Sequence, residues 1–196
     1  RPAALRLHDH DPAIPDLVTS DLYQVTANGE EIWTEKFRTD MDIESLPDWF
    51  TSEPYTQEQQ EVHIAQFSCS GSVTISIRLL EPAEEVTIHP KSRNLEVTRE
   101  NQGVSFTLPG PDKLYIRVGD HPPLCLFANP EEQDPPSSGN PNVRYFGPGV
   151  HRPGMMELED NETVYIAGGA IVYGGIRTKG ANNIRVTGRG ILYGNY

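Results

Sequence analysis

The sequence predicts an all-β fold, an N-terminal antiparallel β-sandwich followed by the first turns of a parallel β-helix. Three observations predict it. Between residues 62 and 127, short β-branched and aromatic runs recur, and several alternate, as in Val73-Thr74-Ile75-Ser76-Ile77-Arg78-Leu79. Such alternation buries one face of a strand and wets the other. Seventeen Pro and seventeen Gly punctuate these runs as turns, and no helical pattern lies between them. Beyond residue 142, one short unit occurs three times: Val143-Arg144-Tyr145-Phe146-Gly147-Pro148-Gly149-Val150, Val164-Tyr165-Ile166-Ala167-Gly168-Gly169-Ala170-Ile171 and Ile184-Arg185-Val186-Thr187-Gly188-Arg189-Gly190-Ile191. The copies start 21 and then 20 residues apart, a fixed period that marks a solenoid of strands.

Residues 1–20 are rich in Pro and Asp and read as an extended lead-in. Leu22–Thr26 and Glu31–Phe37 flank Ala27-Asn28-Gly29-Glu30. An Asn-Gly between two strand-like runs signals a hairpin, because both residues tolerate positive φ. Residues 40–60 are polar, carry Trp49, Phe50 and Tyr55, and read as a long loop with a helical turn near Glu58–Glu61. Strands are expected at Val62–Ser68, Ser72–Leu80, Glu85–His89, Leu95–Thr98, Val104–Leu108, Lys113–Val118 and Leu124–Phe127. Turn signals separate them at Ser70-Gly71, Pro90, Asn101-Gln102-Gly103, Pro109-Gly110-Pro111 and Gly119-Asp120. About nine short strands in this order read as two antiparallel sheets face to face. Residues 129–142 are Pro-rich and poor in apolar residues, as a linker is. The chain thus divides into a sandwich with its lead-in (1–128), a linker (129–142) and the incomplete start of a β-helix (143–196).

Each repeat is too short for a strand and a helix with full crossover, and it lacks the dense leucines of a leucine-rich repeat. One β-helix turn per unit remains. Corners favour Gly because adjacent turns lie about 4.8 Å apart and leave little room for Cβ. Asn182-Asn183 suits another corner in the left-handed conformation. Tyr173 and Tyr193 occupy equivalent places, so their rings are expected to stack.

The run from Val143 to His151, continued by Val164–Gly174 and Gly188–Gly194, resembles the start of the catalytic β-helix in polysaccharide hydrolases. The closest likeness is to glycoside hydrolase family 49, the dextranase and isopullulanase type, and to the related polygalacturonase-like family 28. Val86–Pro90, Val104–Pro109, Lys113–Ile116 and Leu124–Pro130 are similar to the N-terminal sandwich of that group. The likeness covers roughly residues 62–196 and is more specific for architecture than for substrate. It implies a right-handed β-helix and inverting hydrolysis, with one carboxylate protonating the leaving oxygen and another activating water. It also implies a polysaccharide substrate, a neutral glucan or a pectin-like polymer, and a secreted or periplasmic protein. The acidic cluster of such enzymes lies in later turns, and no Asn-Thr-Asp, Asp-Asp or Gly-His-Gly occurs here. No residue of this chain inherits a catalytic role. The alternatives are a non-catalytic module that binds carbohydrate or a partner protein, and a polysaccharide lyase fragment.

Composition narrows the remaining classes. A net charge of −12 argues against nucleic acid and an anionic membrane surface. No apolar run approaches the roughly 20 residues that span a bilayer. Cys69 and Cys125 fit one bridge or two buried thiols equally. His8-Asp9-His10-Asp11 has metal-binding residue types but lies in the lead-in, and neither a metal nor a cofactor is assigned. The adjacent pairs Glu30-Glu31, Glu84-Glu85 and Glu131-Glu132 point to opposite faces of a strand and make poor acid–base pairs. Gly188-Arg189-Gly190-Ile191-Leu192-Tyr193-Gly194 does not have dinucleotide-binding spacing. Trp33 is expected in the core. Trp49 and Phe50, in a polar loop, suit stacking on sugar rings, and Tyr193, Asn195 and Tyr196, on the last turn, are the other candidate substrate contacts. Asn161-Glu162-Thr163 is a glycosylation sequon.

Overall fold

The computed structural model describes residues 4–8, 10, 19–39 and 60–194. Among these described residues it is all-β, with one short 3₁₀ turn at Lys91–Arg93. The strands, in chain order, are β1 (Leu5–Arg6), β2 (Tyr23–Ala27), β3 (Glu30–Ile32), β4 (Thr34–Thr39), β5 (Gln60–Cys69), β6 (Val73–Leu79), β7 (Val86–His89), β8 (Thr98–Glu100), β9 (Gly103–Leu108), β10 (Asp112–Val118), β11 (His121–Pro130), β12 (Val143–Phe146), β13 (Gly149–Leu158), β14 (Thr163–Ile166), β15 (Ala170–Thr178), β16 (Arg185–Gly188) and β17 (Ile191–Tyr193).

The first eleven strands form two sheets. One runs β3-β2-β6-β9-β8, and the other runs β1-β5-β11-β10-β7 with β4 also on β5. Alternation places Tyr23, Val25, Ile75, Ile77, Phe106 and Leu108 from one sheet against Ala65, Phe67, Leu114, Ile116, Leu124 and Leu126 from the other, all buried in one apolar core. The β2–β3 hairpin turns on Asn28 (φ 50°) and Gly29 (φ 85°), the paired positive-φ geometry that matches the strand twist.

Several expectations are corrected. The pairing is not wholly antiparallel, because β5 and β11 run parallel, from Leu124 opposite His63 to Pro130 opposite Cys69. The tight hairpin with β10 fixes the direction of β11, which then fills the slot beside β5. The expected strand Glu31–Phe37 breaks at Trp33, so that β3 joins one sheet and β4 the other. Glu61 lies in a strand rather than a helical turn. Residues 95–97 are not strand, and β8 begins at Thr98. β11 continues through Asn129 and Pro130, the first two residues read as linker. Both cysteines are free. Cys125 sits opposite Ile64, five residues along β5 from Cys69, and that separation of roughly 16 Å at strand rise cannot be bridged.

The last six strands form two parallel three-stranded sheets, β12-β14-β16 and β13-β15-β17. Val143 faces Thr163, and Thr163 faces Arg185, steps of 20 and 22 residues. Gly149 faces Ala170, and Ile171 faces Ile191, steps of 21 and 20. The repeat is therefore real as a stack. Aligning the copies on Val143, Val164 and Ile184, however, misplaces the first strand of each unit. Its true rows are Arg144–Val164–Val186 and Phe146–Ile166–Gly188. The corner takes up the difference, with two residues between Phe146 and Gly149 but three between Ile166 and Ala170.

Gly188 (φ 131°) and its corner press so closely on the coil below that a Cβ there would enter the Ile166 carbonyl. At the opposite corner Asn161 and Asn183 are both left-handed (φ 65° and 55°), and Asn183 Nδ2 donates to Asn161 Oδ1 at 2.8 Å.

Val164, Ile166, Val172, Ala170, Met156 and Leu158 fill the interior of the stack. Its two ends differ. On the first coil Arg144 forks onto Glu162 (2.9–3.2 Å) and also donates to the Glu157 carbonyl at 2.6 Å, while the His151 Nε2 lies 2.7 Å from the Gly147 carbonyl. The Glu162 carboxyl is held below its ordinary pKa by the Glu159 N–H and by Arg144. On the third coil, the row of Val164 (0% exposed) ends in Val186 (51%), and the row of Val172 (0%) ends in Leu192 (41%).

Candidate functional site

The parallel stack sits against the outer face of the six-stranded sheet. Phe37 of β4, 5% exposed, meets the Tyr193 ring at 5.4 Å. Tyr193 faces Tyr173 in register, and their rings meet edge to face at 5.1 Å and 85°, not stacked as the repeat suggested. The ring quadrupole favours that approach, and it lets Tyr193 reach Phe37. Arg152 lies 4.1 Å over the Tyr173 ring. A second in-register pair, Tyr145 and Tyr165, is tilted by 33° at 5.1 Å, and the Tyr165 hydroxyl donates to Glu132 at 2.9 Å. Burial and Glu132 push that phenol up to about 12. Of the candidate substrate contacts, Tyr193 is half-buried in this aromatic row, while Asn195, Tyr196, Trp49 and Phe50 lie outside the described residues.

The lead-in also reaches this junction. The His8 ring packs against Gly168 so tightly that a Cβ there would collide with it. His10 stacks on Trp33 at 5.2 Å. Trp33 is half-buried under that histidine rather than in the core between the sheets. Its Nε1 donates to Glu35 at 3.4 Å. Glu35, on β4 opposite Ile64, is 3% exposed, and desolvation pushes its carboxyl up to about 8. At neutral pH it keeps its proton.

A polar chain lies at one end of the two-sheet core. Ser20 Oγ accepts from the Tyr23 N–H (2.9 Å) and the Leu22 N–H (3.3 Å), so its hydrogen goes to His63 Nδ1 at 2.8 Å. Nε2 then carries the ring hydrogen and donates to Glu61 at 3.1 Å. Burial holds the His63 pKa below its ordinary value, and the ring is neutral. Lys36 Nζ stands 2.7 Å from Asp21 and 3.3 Å from Glu61, which lowers the Asp21 pKa and raises that of Lys36. The ligand atoms of Asp21, Glu61 and His63 lie close enough together for a metal ion, but the Lys36 ammonium already supplies the positive charge.

Neither arrangement is built for hydrolysis. Glu35 is shut away from solvent, and Glu61 is held by Lys36 and His63. Ser20, 7% exposed, spends its lone pairs on the backbone. Sequence reasoning missed both groups, although a signal was present. Glu35 sits between Trp33 and Phe37 on one face of a strand, and His63 precedes Ala65 and Phe67 on the core face of another.

A cleft of about 290 Å³ remains where the third coil meets the sheet. Ile64 and Gln66 of β5, Phe127 and Asn129 of β11, and the turn Gly188–Ile191 line it. Arg189 crosses the junction and donates from Nη2 to the Pro130 carbonyl at 2.9 Å.

No family model and no curated protein matches this sequence. Among solved structures it is similar to Dex49A from Penicillium minioluteum, a dextranase of glycoside hydrolase family 49. The superposition has a TM-score of 0.63 at 18% identity, covering 97% of this chain and 50% of that one. The fold is family-49-like. The chain spans about half the length of that dextranase, and at this identity the likeness is one of fold.

Proposed function

We propose that this chain is the N-terminal region of a glycoside hydrolase that cleaves polysaccharide by an inverting, paired-carboxylate mechanism. In this reading residues 1–130 are a β-sandwich with its lead-in, 131–142 a linker and 143–196 the first coils of a right-handed parallel β-helix. The carboxylates stand in coils beyond Tyr196, spaced to admit a water between them. The single observation that carries the reading is the unequal pair of stack ends. Polar groups close the first coil, whereas Val186 and Leu192 present apolar side chains where their in-register neighbours Val164 and Val172 are fully buried. An edge of that kind is stabilised by another coil. The likeness to Dex49A over 97% of the chain supports the same continuation.

The substrate is a neutral glucan or a pectin-like polymer. Such a polymer does not enter cells, which favours a secreted or periplasmic protein. Tyr193, on the last described coil, is a proposed substrate contact, and Asn195 and Tyr196, which follow it in the sequence, are proposed with it, as are Trp49 and Phe50. The deciding experiment measures reducing-end release from dextran, pullulan and polygalacturonate by a protein that continues beyond Tyr196, with the anomer of the product followed by NMR. Release with inversion is expected. Binding without turnover on all three polymers makes the chain part of a binding module, and unsaturated products make it part of a lyase. Either result overturns the proposal.

A further inference from the structure

We infer that the cleft between the outer face of the six-stranded sheet and the Gly188–Ile191 turn binds one hexose unit of an oligosaccharide. The inference rests on the carbohydrate reading above and adds to it a site distinct from the proposed catalytic coils. At about 290 Å³, the cleft matches the lower end of small-molecule sites, roughly 300 Å³.

Its chemistry is that of sugar recognition. Phe127 lies opposite Gln66 in register, and Asn129 lies opposite Ser68 two residues on. Strand alternation therefore aims the ring and both amides at the same side of the sheet. Ile64 and Ile191 complete an apolar wall for the C–H face of a sugar ring. Among the described residues, the side-chain amides of Gln66 and Asn129 make no hydrogen bond. Each offers an acceptor and two donors, the set that vicinal hydroxyls require.

Arg189 narrows the ligand further. Its Nη1 faces the Gly188 carbonyl (3.4 Å), Nη2 donates to the Pro130 carbonyl (2.9 Å), and its buried Nε donates to nothing. Two of the five guanidinium N–H groups are thus used, and three remain. Those donors suit hydroxyl oxygens, and a carboxylate as well. No carboxylate lines the cleft to attract a cation. A hydroxyl-rich ring with one apolar face meets these demands. An apolar ligand would leave the amides unpaired.

The test is titration of the 196-residue chain with isomaltotriose, maltotriose and trigalacturonate, followed by amide NMR shifts and calorimetry. At least one of the three trisaccharides is expected to bind, shifting the amides of Gln66, Phe127 and residues 188–191. Gln66→Ala and Asn129→Ala, which remove no protein hydrogen bond and so keep the fold, are each expected to weaken that binding roughly ten-fold. The inference is overturned if no trisaccharide shifts those amides, or if the two variants bind as well as the parent. Polymer hydrolysis by the unsubstituted longer protein is scored separately. Hydrolysis without cleft binding removes only this site, and cleft binding without hydrolysis removes only the proposed activity.

Discussion

The two apolar interiors of this molecule are finished differently. The one between the two sheets draws on both partners and is closed, with Phe67, Ile75, Leu108, Ile116 and Leu124 at 0% exposure. The one inside the parallel stack is narrow, and its wall continues straight into exposed Val186 and Leu192. A sandwich core is complete when two faces meet. A stack core is complete only coil by coil, because each coil buries the one beneath it. The difference teaches that the stability of the first region is its own, whereas that of the second depends on what rests on its last edge.

Five substitutions test this contrast, the largest expected effect first. Phe67→Ala opens a cavity in the closed core and is expected to cost about 3–5 kcal/mol, read as a lower urea midpoint for the whole chain. Were only the stack to loosen, the two interiors would not be independent. Glu35→Gln probes the seam between the two regions. A carboxyl raised to about 8 in the folded protein binds its proton more tightly there than when unfolded. Stability therefore falls as pH rises from the ordinary carboxylate range to about 8, and is level above it. The glutamine variant is expected to flatten that slope, a difference on the order of 4 kcal/mol at most, measured as melting temperature from pH 5 to 9. An unchanged slope would mean that Glu35 is ionised in the folded protein.

Gly188→Ala is expected to cost roughly 1–3 kcal/mol through the strained backbone alone. Hydrogen exchange is expected to show the loss confined to residues 185–193, with the two-sheet core still protected. The smallest effect sharpens the contrast most. Val164→Ala is expected to cost roughly 2 kcal/mol, whereas the same change at its in-register neighbour Val186 costs under about 0.5 kcal/mol in this chain. Adding coils beyond Tyr196 is expected to raise the second figure toward the first. Equal costs in both lengths of chain would show that the third coil already has its cover.

Local signals were legible in the sequence and distant ones were not. Asn28-Gly29 specified its hairpin because two adjacent residues suffice to set the turn. The parallel stack was legible because its period repeats. Its register was not, because corner lengths vary and Val143 looks as much a strand opener as Val164. The parallel pairing of β5 with β11 joins Ile64 to Cys125 across sixty residues, and no local pattern encodes it. Glu35 and His63 occupy positions where alternation demanded apolar side chains; Trp33, the partner of Glu35, is only two residues away, whereas Ser20, the partner of His63, comes from the lead-in. The cleft was invisible for the same reason, since Gln66, Asn129 and Arg189 look like ordinary surface residues until the third coil meets the sheet.

The Asn161–Asn183 pair has one further consequence. The lower amide receives a hydrogen from the upper, and the upper keeps its own side-chain oxygen as an acceptor. That atom works as an index mark, since an incoming corner that brings an amide or hydroxyl to it is positioned to within a hydrogen bond. An insertion or deletion of one residue nearby would therefore be felt as a misaligned thread in every winding that follows.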